Sequence, residues 1–282
     1  MQLIEKRKWF YIFSSILVIA GIVSMFMQGF NWSIDFTGGS LLRYRMDSSI
    51  TADQVRNTIS DLKMVKEVSV QKSGSEFYIR TNELDQQQTA QMTAGLKEKF
   101  KNVTLESAES VGATIGSELA RNALIAIGIA LVLMLIYITF RFELAFGLAA
   151  VLALFHDVLI VLGLFSIFQW EVSSYFVAAI LTIVGYSIND TIVIFDRVRE
   201  NLRTRKKEAL NTLLNRSIMQ TMNRSINTVL TVLMPLVTLL LFGGSTIKIF
   251  VVALLVGFIF GVYSSICVAS PLYYDIKQRS AS

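Results

Sequence analysis

The sequence predicts an α-helical polytopic membrane protein in which six transmembrane helices carry an inserted α+β, ferredoxin-like extracytoplasmic domain. Three observations lead there. Of 282 residues, 53% are hydrophobic and only 17% charged, and the mean hydropathy is +0.55, outside the range of water-soluble domains. Six apolar runs are long enough to cross roughly 30 Å of hydrocarbon. One polar stretch between the first and second runs alternates apolar and polar residues in the manner of strands. The chain accordingly divides into residues 1–29, an N terminus and first helix; 30–121, the inserted domain; and 122–282, a five-helix membrane region with a basic interfacial helix and the C terminus.

The runs extend over about Phe10 to Gln28, Ala123 to Phe140, Leu144 to Phe168, Tyr175 to Phe195, Ile218 to Phe242 and Ile249 to Tyr273. They must be helices, because an open sheet leaves its edge groups unsatisfied in lipid. Pro235 is a candidate kink in the fifth run. Lys6, Arg7, Lys8, Arg141, the run Arg197 to Lys207, Arg216, Lys277 and Arg279 gather at one set of ends, and the other short loops hold only Lys248. By the positive-inside rule both termini face the cytoplasm and residues 31–121 lie outside. The first run has basic flanks like a signal peptide, but it is too long and no small-x-small site follows it, so it is expected to stay as an anchor. From Arg197 to Gln220 the chain is basic and helical in propensity, with Leu202, Ala209, Leu210, Leu213 and Leu214 for an apolar face. It is expected to lie along the membrane interface, as a docking surface or as a loop that only fixes topology.

Within the insert, strands are expected at Leu41 to Met46, Glu67 to Lys72, Phe77 to Thr81 and Val103 to Ser107. A helix begins after Ser49 or Thr51 as N-cap, and a second runs from Asp85 to Phe100. With Ser73-Gly74 turning the central hairpin, the order β-α-β-β-α-β is that of a split βαβ fold. Such a sheet is more often a docking module than an enzyme.

Composition also removes several chemistries. The single Cys267 excludes an intrachain disulfide and a cysteine metal cage, and the single His156 excludes a multi-histidine zinc site. No metal or cofactor is expected, and no enzymatic activity. The net charge of +5 comes from basic residues between apolar runs rather than from a basic surface with interleaved aromatics, so nucleic acid is not an expected partner.

Ionisable residues inside a spanning helix are expensive and face a bundle or water, which makes each a candidate site. His156 and Asp157 lie mid-way along the third run, Asp190 in the fourth and Arg224 in the fifth. Asp190 precedes Asp196 by six residues, about 9 Å of rise, and Arg224 follows Arg216 by eight, about 12 Å, so the two sit at similar depth. Thr182, Tyr186, Asn189, Asp190, Val193 and Arg197 share one side of the fourth helix, and Arg224, Asn227, Thr228 and Thr231 form a stripe on the fifth. The stripes are expected to face each other, pairing Asp190 with Arg224 along an enclosed path. Tyr186, Ser187 and Asn189 offer more hydrogen-bonding capacity than one ion pair needs. A static salt bridge that sets helix register is the plainer alternative. In the functional reading Asp190 titrates while the arginine keeps its charge. Adjacent helical residues point roughly 100° apart, so His156 and Asp157 need not touch and are given a supporting role. Asp35, Phe36, Thr37, Gly38 and Gly39, just past the first run, read as a helix-to-strand turn that the glycines permit.

Several strings then fall together in order: Asp35 to Gly39; Val111-Gly112 with Glu118-Leu119; His156-Asp157; Gly185-Tyr-Ser-Ile-Asn-Asp-Thr191 running into Phe195-Asp-Arg-Val-Arg-Glu-Asn201; and Asn223-Arg-Ser-Ile-Asn-Thr228. Over nearly the whole chain this pattern closely resembles the SecF family of protein-export membrane subunits. The resemblance implies a six-span half of the resistance-nodulation-division architecture in a bacterial inner membrane, working with a separate SecD. It also implies assistance to the Sec translocon channel (SecY, SecE, SecG) and to the translocating precursor, driven by the proton-motive force. It places the family's proton-transfer acid and arginine on Asp190 and Arg224, with a further membrane aspartate supplied by SecD. Competing readings are a proton-coupled exporter of lipid or small molecules, a passive scaffold of the translocon, and an intramembrane aspartyl protease. The protease lacks a Gly-x-Gly-Asp string, and an arginine beside Asp190 disfavours a shared-proton dyad.

Overall fold

The computed structural model describes residues 2–65, 68–141, 143–204 and 208–279. The predicted strand residue Glu67 and the basic residues Arg205, Lys206 and Lys207 lie outside them. Two compact units form, one from residues 1–31 with 125–282 and one from 32–124.

Six helices are long and apolar enough to span a membrane: Arg7–Gln28, Ala113–Arg141, Leu144–Ile167, Ser174–Arg203, Leu210–Phe242 and Ile247–Arg279. Each predicted span is present, but three helices are extended well past their apolar runs. The second begins at Ala113 rather than Ala123, the fourth continues to Arg203 and the fifth starts at Leu210. The basic segment 197–220 is therefore not an independent interfacial helix, which corrects that expectation. Residues 197–203 belong to the end of the fourth helix and 210–220 to the start of the fifth. Arg, Glu and Leu are good helix formers, and neither Gly nor Pro interrupts them where the apolar character ends. Apolar content marks how much of a helix lipid tolerates, not how far its hydrogen bonding runs.

In the membrane unit the first helix crosses the third at Gly21 and Gly163. A Cβ on either glycine would lie 2.7 Å from the other's Cα, so only glycine permits this approach. Ser24 and Ser166 hydroxyls bond across the same seam at 2.8 Å. The sixth helix meets the fourth at Gly257, where a Cβ would strike Ile183, and at Gly261 against Ser187. Near its end the sixth helix carries a π-helical turn, Ser265–Ala269. Pro271 follows; it has no N–H to offer the Cys267 carbonyl, and its ring would clash with it in a regular α-helix. Ser270 Oγ instead donates to the Ser265 carbonyl at 3.0 Å.

The other unit is a four-stranded antiparallel sheet. Its elements are β1 (Gly39–Arg45), α1 (Ala52–Asp61), β2 (Val68–Ser73), β3 (Glu76–Thr81), α2 (Gln86–Lys99) and β4 (Thr104–Val111). The strand order β2-β3-β1-β4 fits the split βαβ topology. Both helices start with a complete capping box, Thr51 with Gln54 and Asp85 with Gln88. Alternation along β3 sends Phe77 and Ile79 inward to join Leu42, Tyr44, Val55, Ile59, Met92 and Leu96 in one core. The hairpin between β2 and β3 turns at Gly74-Ser75, one residue later than expected, with Gly74 at φ 63°.

The Asp35 to Gly39 segment lies in this unit. Ile34–Thr37 is a single helical turn capped by Ser33, whose Oγ accepts from the Asp35 N–H at 3.0 Å. Gly38 and Gly39 follow at φ 72° and 113°. A Cβ on Gly39 would strike the Thr81 carbonyl oxygen, so β1 can join β3 here only with glycine.

Candidate polar site in the membrane helices

Four helices contribute polar side chains to the interior of the membrane unit, in two separate groups. The first centres on Asp190 of the fourth helix, 7% exposed. Its Oδ1 accepts a hydrogen bond from Ser225 Oγ of the fifth helix at 2.6 Å. Its Oδ2 is buried and has no partner among the described residues, and the nearby Tyr186 hydroxyl is in the same condition. The Tyr186 ring packs on Phe258 with centroids 4.2 Å apart.

The expected Asp190–Arg224 pair does not form: among the described residues no ion pair within 4.0 Å joins them, and Ser225 occupies the facing position instead. The reason is angular. Successive helical residues point about 100° apart, so a fifth helix that turns Ser225 inward turns Arg224 out. Arg224 and Asn227 are exposed on the outer face of the fifth helix and Thr228 is partly so. Asn189 is exposed on the fourth helix.

The second group centres on Asp157 of the third helix, 1% exposed. Here His156 and Asp157 do touch, contrary to the argument from helical angles: Nδ1 lies 2.9 Å from Oδ1. Both side chains reach beyond their Cβ directions, which the angle alone does not describe. The other carboxylate oxygen accepts from Ser187 Oγ and from Ser264 Oγ, each at 2.6 Å. Ser187 thus serves Asp157 rather than Asp190. A second cross-helix contact lies alongside, Thr191 Oγ1 to Ser265 Oγ at 2.8 Å.

Sequence reasoning missed Ser225, Ser264, Thr191 and Ser265. Their signal was present as hydroxyl residues inside otherwise apolar spans, where a polar group needs a partner. Among the described residues no cluster of three metal-ligating side chains occurs.

Comparison with known proteins gives these positions a context. Residues 91–279 match the family model for the C-terminal region of the protein export membrane proteins SecD/SecF, and residues 23–50 match that for the SecD/SecF GG motif. The protein translocase subunit SecF of Sebaldella termitidis is 42% identical over 99% of this chain and 92% of its own length. The protein translocase subunit SecDF of Bacillus subtilis is also 42% identical, over 98% of this chain but 38% of its own length. The crystal structure of SecDF, a translocon-associated membrane protein from Thermus thermophilus, superposes with a TM-score of 0.92 at 37% identity. That match covers 99% of this chain and 39% of the SecDF chain.

Proposed function

Because the chain belongs to the SecD/SecF family of protein-export membrane proteins, we propose that it is a proton-motive-force-driven accessory subunit of the Sec translocon. It acts with SecD at the bacterial inner membrane, both termini in the cytoplasm, to promote export of precursors through the SecY, SecE and SecG channel and their insertion into the membrane. Fusion of SecD and SecF in the similar SecDF proteins supports SecD as the partner. The observation that carries the proton coupling is Asp190, a carboxylate within a spanning helix, one oxygen held by Ser225 and the other open.

A carboxylate binds the Ser225 hydroxyl by a charge-assisted hydrogen bond; adding a proton leaves a weaker neutral contact and frees the fifth helix to shift against the fourth. Arg224 stays charged throughout and biases this exchange. Tyr186, Ser187, Asn189, Asn227 and Thr228, with His156 and Asp157, are the polar groups from which the rest of a path is built. One charge crossing a potential of about 150 mV releases roughly 3.5 kcal/mol, whereas swinging a two-state equilibrium from 1:99 to 99:1 takes about 5.5 kcal/mol. A single proton therefore biases a conformational change of the extracytoplasmic domain without driving it to completion.

The test is export in cells whose only copy carries Asp190→Asn at normal abundance. The reading expects the stimulation that depends on the proton gradient to vanish. Stimulation that survives the substitution and is insensitive to uncouplers overturns it in favour of a passive scaffold.

A further inference from the structure

We propose that the His156–Asp157 pair is a second proton-binding site of the membrane unit, distinct from Asp190, and that the sixth helix reads its occupancy through Ser264. The proposal deepens the proton-coupled reading above and rests on it. Its starting point is the contrast between the two atoms of the imidazole. Nδ1 is committed to Asp157 at 2.9 Å, while Nε2 is buried with no partner among the described residues. A buried ring nitrogen with nothing to bond is costly unless it has work to do.

The proton balance is direct. With Nδ1–H donating to Oδ1, the ring is neutral and the pair carries one negative charge. A proton taken from water adds at Nε2, and the Nδ1 proton passes to Asp157 Oδ1. The product is a neutral imidazole of the other tautomer and a neutral acid. The carboxylate loses its charge while Ser187 and Ser264 still point at Oδ2, so both bonds weaken together. Histidine suits this relay because its two nitrogens exchange roles without moving the ring.

Occupancy is transmitted through position in the chain. Ser264 immediately precedes the π-helical turn Ser265–Ala269, and Ser265 is tied to Thr191 of the fourth helix. A π-turn interrupts the regular α-helical hydrogen-bond ladder, and such turns occur frequently at functional sites. Releasing Ser264 therefore frees the sixth helix at its least regular point. Ser264 Oγ also lies 3.0 Å from the Gly261 carbonyl, a waiting acceptor once the carboxylate is neutral.

The other titratable groups near the pair are engaged with partners of their own. Tyr263 of the sixth helix has its ring centroid 6.3 Å from that of His156, and its hydroxyl is engaged with Ser14 Oγ and the Phe10 carbonyl of the first helix. On the fourth helix Ser187 bonds the pair, while Asp190 is bonded to Ser225 of the fifth. Among the described residues no lysine or arginine forms an ion pair with Asp157, whose neighbour His156 meets it through a hydrogen bond.

The experiment is pH-difference infrared spectroscopy on the full chain in lipid, reading the carbonyl stretch of protonated carboxyl groups. In Asp190→Asn a titrating band of a buried carboxyl is expected to remain, and adding Asp157→Asn to that variant is expected to remove it. His156→Gln, which keeps a neutral hydrogen-bonding side chain, should retain the band and move its midpoint by about one pH unit or more. Ser264→Ala should retain the band and abolish any pH-dependent change in amide exchange across residues 264–270. A band that disappears with Asp190→Asn, or persists unchanged once Asp157→Asn is added to it, overturns the second site. Amide exchange that still follows pH in Ser264→Ala overturns the coupling. Because the readout is a band and not export, failure of the Asp190 reading in cells leaves this result separately legible.

Discussion

The third, fourth and sixth spanning helices bury 61%, 50% and 50% of their most apolar stretches within the chain, whereas the second and fifth bury 6% and 11%. In water such bare helices would be untenable, but in lipid an apolar surface costs nothing to expose. The difference shows where specificity resides. The inner helices are held by glycine contacts and by hydroxyl-to-carboxylate bonds, which define one register. The fifth helix carries Arg224 and Asn227 on its bare face, and lipid is a poor solvent for both. Under the function proposed above, SecD is the partner that covers this face.

The largest effect expected from this contrast comes from adding bulk. Gly163→Leu should destabilise the chain by about 3 kcal/mol, because its Cβ meets the Gly21 backbone at 2.7 Å. Gly128→Leu on the second helix has nothing within 4 Å and should leave stability within about 0.5 kcal/mol. Thermal unfolding in detergent, followed by tryptophan fluorescence, measures both. Equal losses would erase the distinction between inner and outer helices.

An intermediate effect should appear only when the partner is present. Arg224→Ala is expected to leave the thermal stability of the isolated chain within about 0.5 kcal/mol while weakening capture of SecD about tenfold, about 1.4 kcal/mol. A stability loss above that limit with capture unchanged would place the side chain inside this chain's own fold.

The smallest effect concerns the one end where the fifth helix is well covered. Asn215 Oδ1 accepts from the Leu3 and Ile4 amides at 2.8 and 3.0 Å, and its amide donates to Glu5 at 2.8 Å. Desolvation opposes ionisation of Glu5, but hydrogen bonds from Asn215 and Asn211 and the charge of Arg7 outweigh it and hold the carboxyl below its usual range. Its folded value is depressed, so the stabilisation is present above the unfolded value and fades as pH falls through the folded one. Exchange of the Leu3 and Ile4 amides, corrected for intrinsic rates, should accelerate on acidification, and Glu5→Gln should remove that dependence.

How much of this was readable depended on the range of the interaction. Both capping boxes of the insert, Thr51 with Gln54 and Asp85 with Gln88, are signals four residues long, and the helices begin where they indicate. The six spans follow from apolar length. Their ends do not, because the fourth helix continues through the largely polar stretch Arg197 to Arg203. Counting residues placed Asp190 and Arg224 at similar depth, but the polar stripe Arg224, Asn227, Thr228 and Thr231 pointed to the wrong face of the fifth helix, and one residue of rotation exchanged Arg224 for Ser225. The His156–Asp157 contact depends on rotamers and on the arrival of Ser187 and Ser264 from 30 and 107 residues away, which no local pattern encodes.

The π-turn before Pro271 has one more consequence. A helix that accommodates an extra residue in one turn advances every later side chain by about 100° about its axis. Beyond the turn, Asp275 accepts from Tyr11 at 3.0 Å and pairs with Arg7 at 2.9 Å, while Lys277 meets Glu143 at 2.8 Å. The C-terminal segment is thus phased to clasp both the first helix and the start of the third, and that phase is set by a single irregularity upstream.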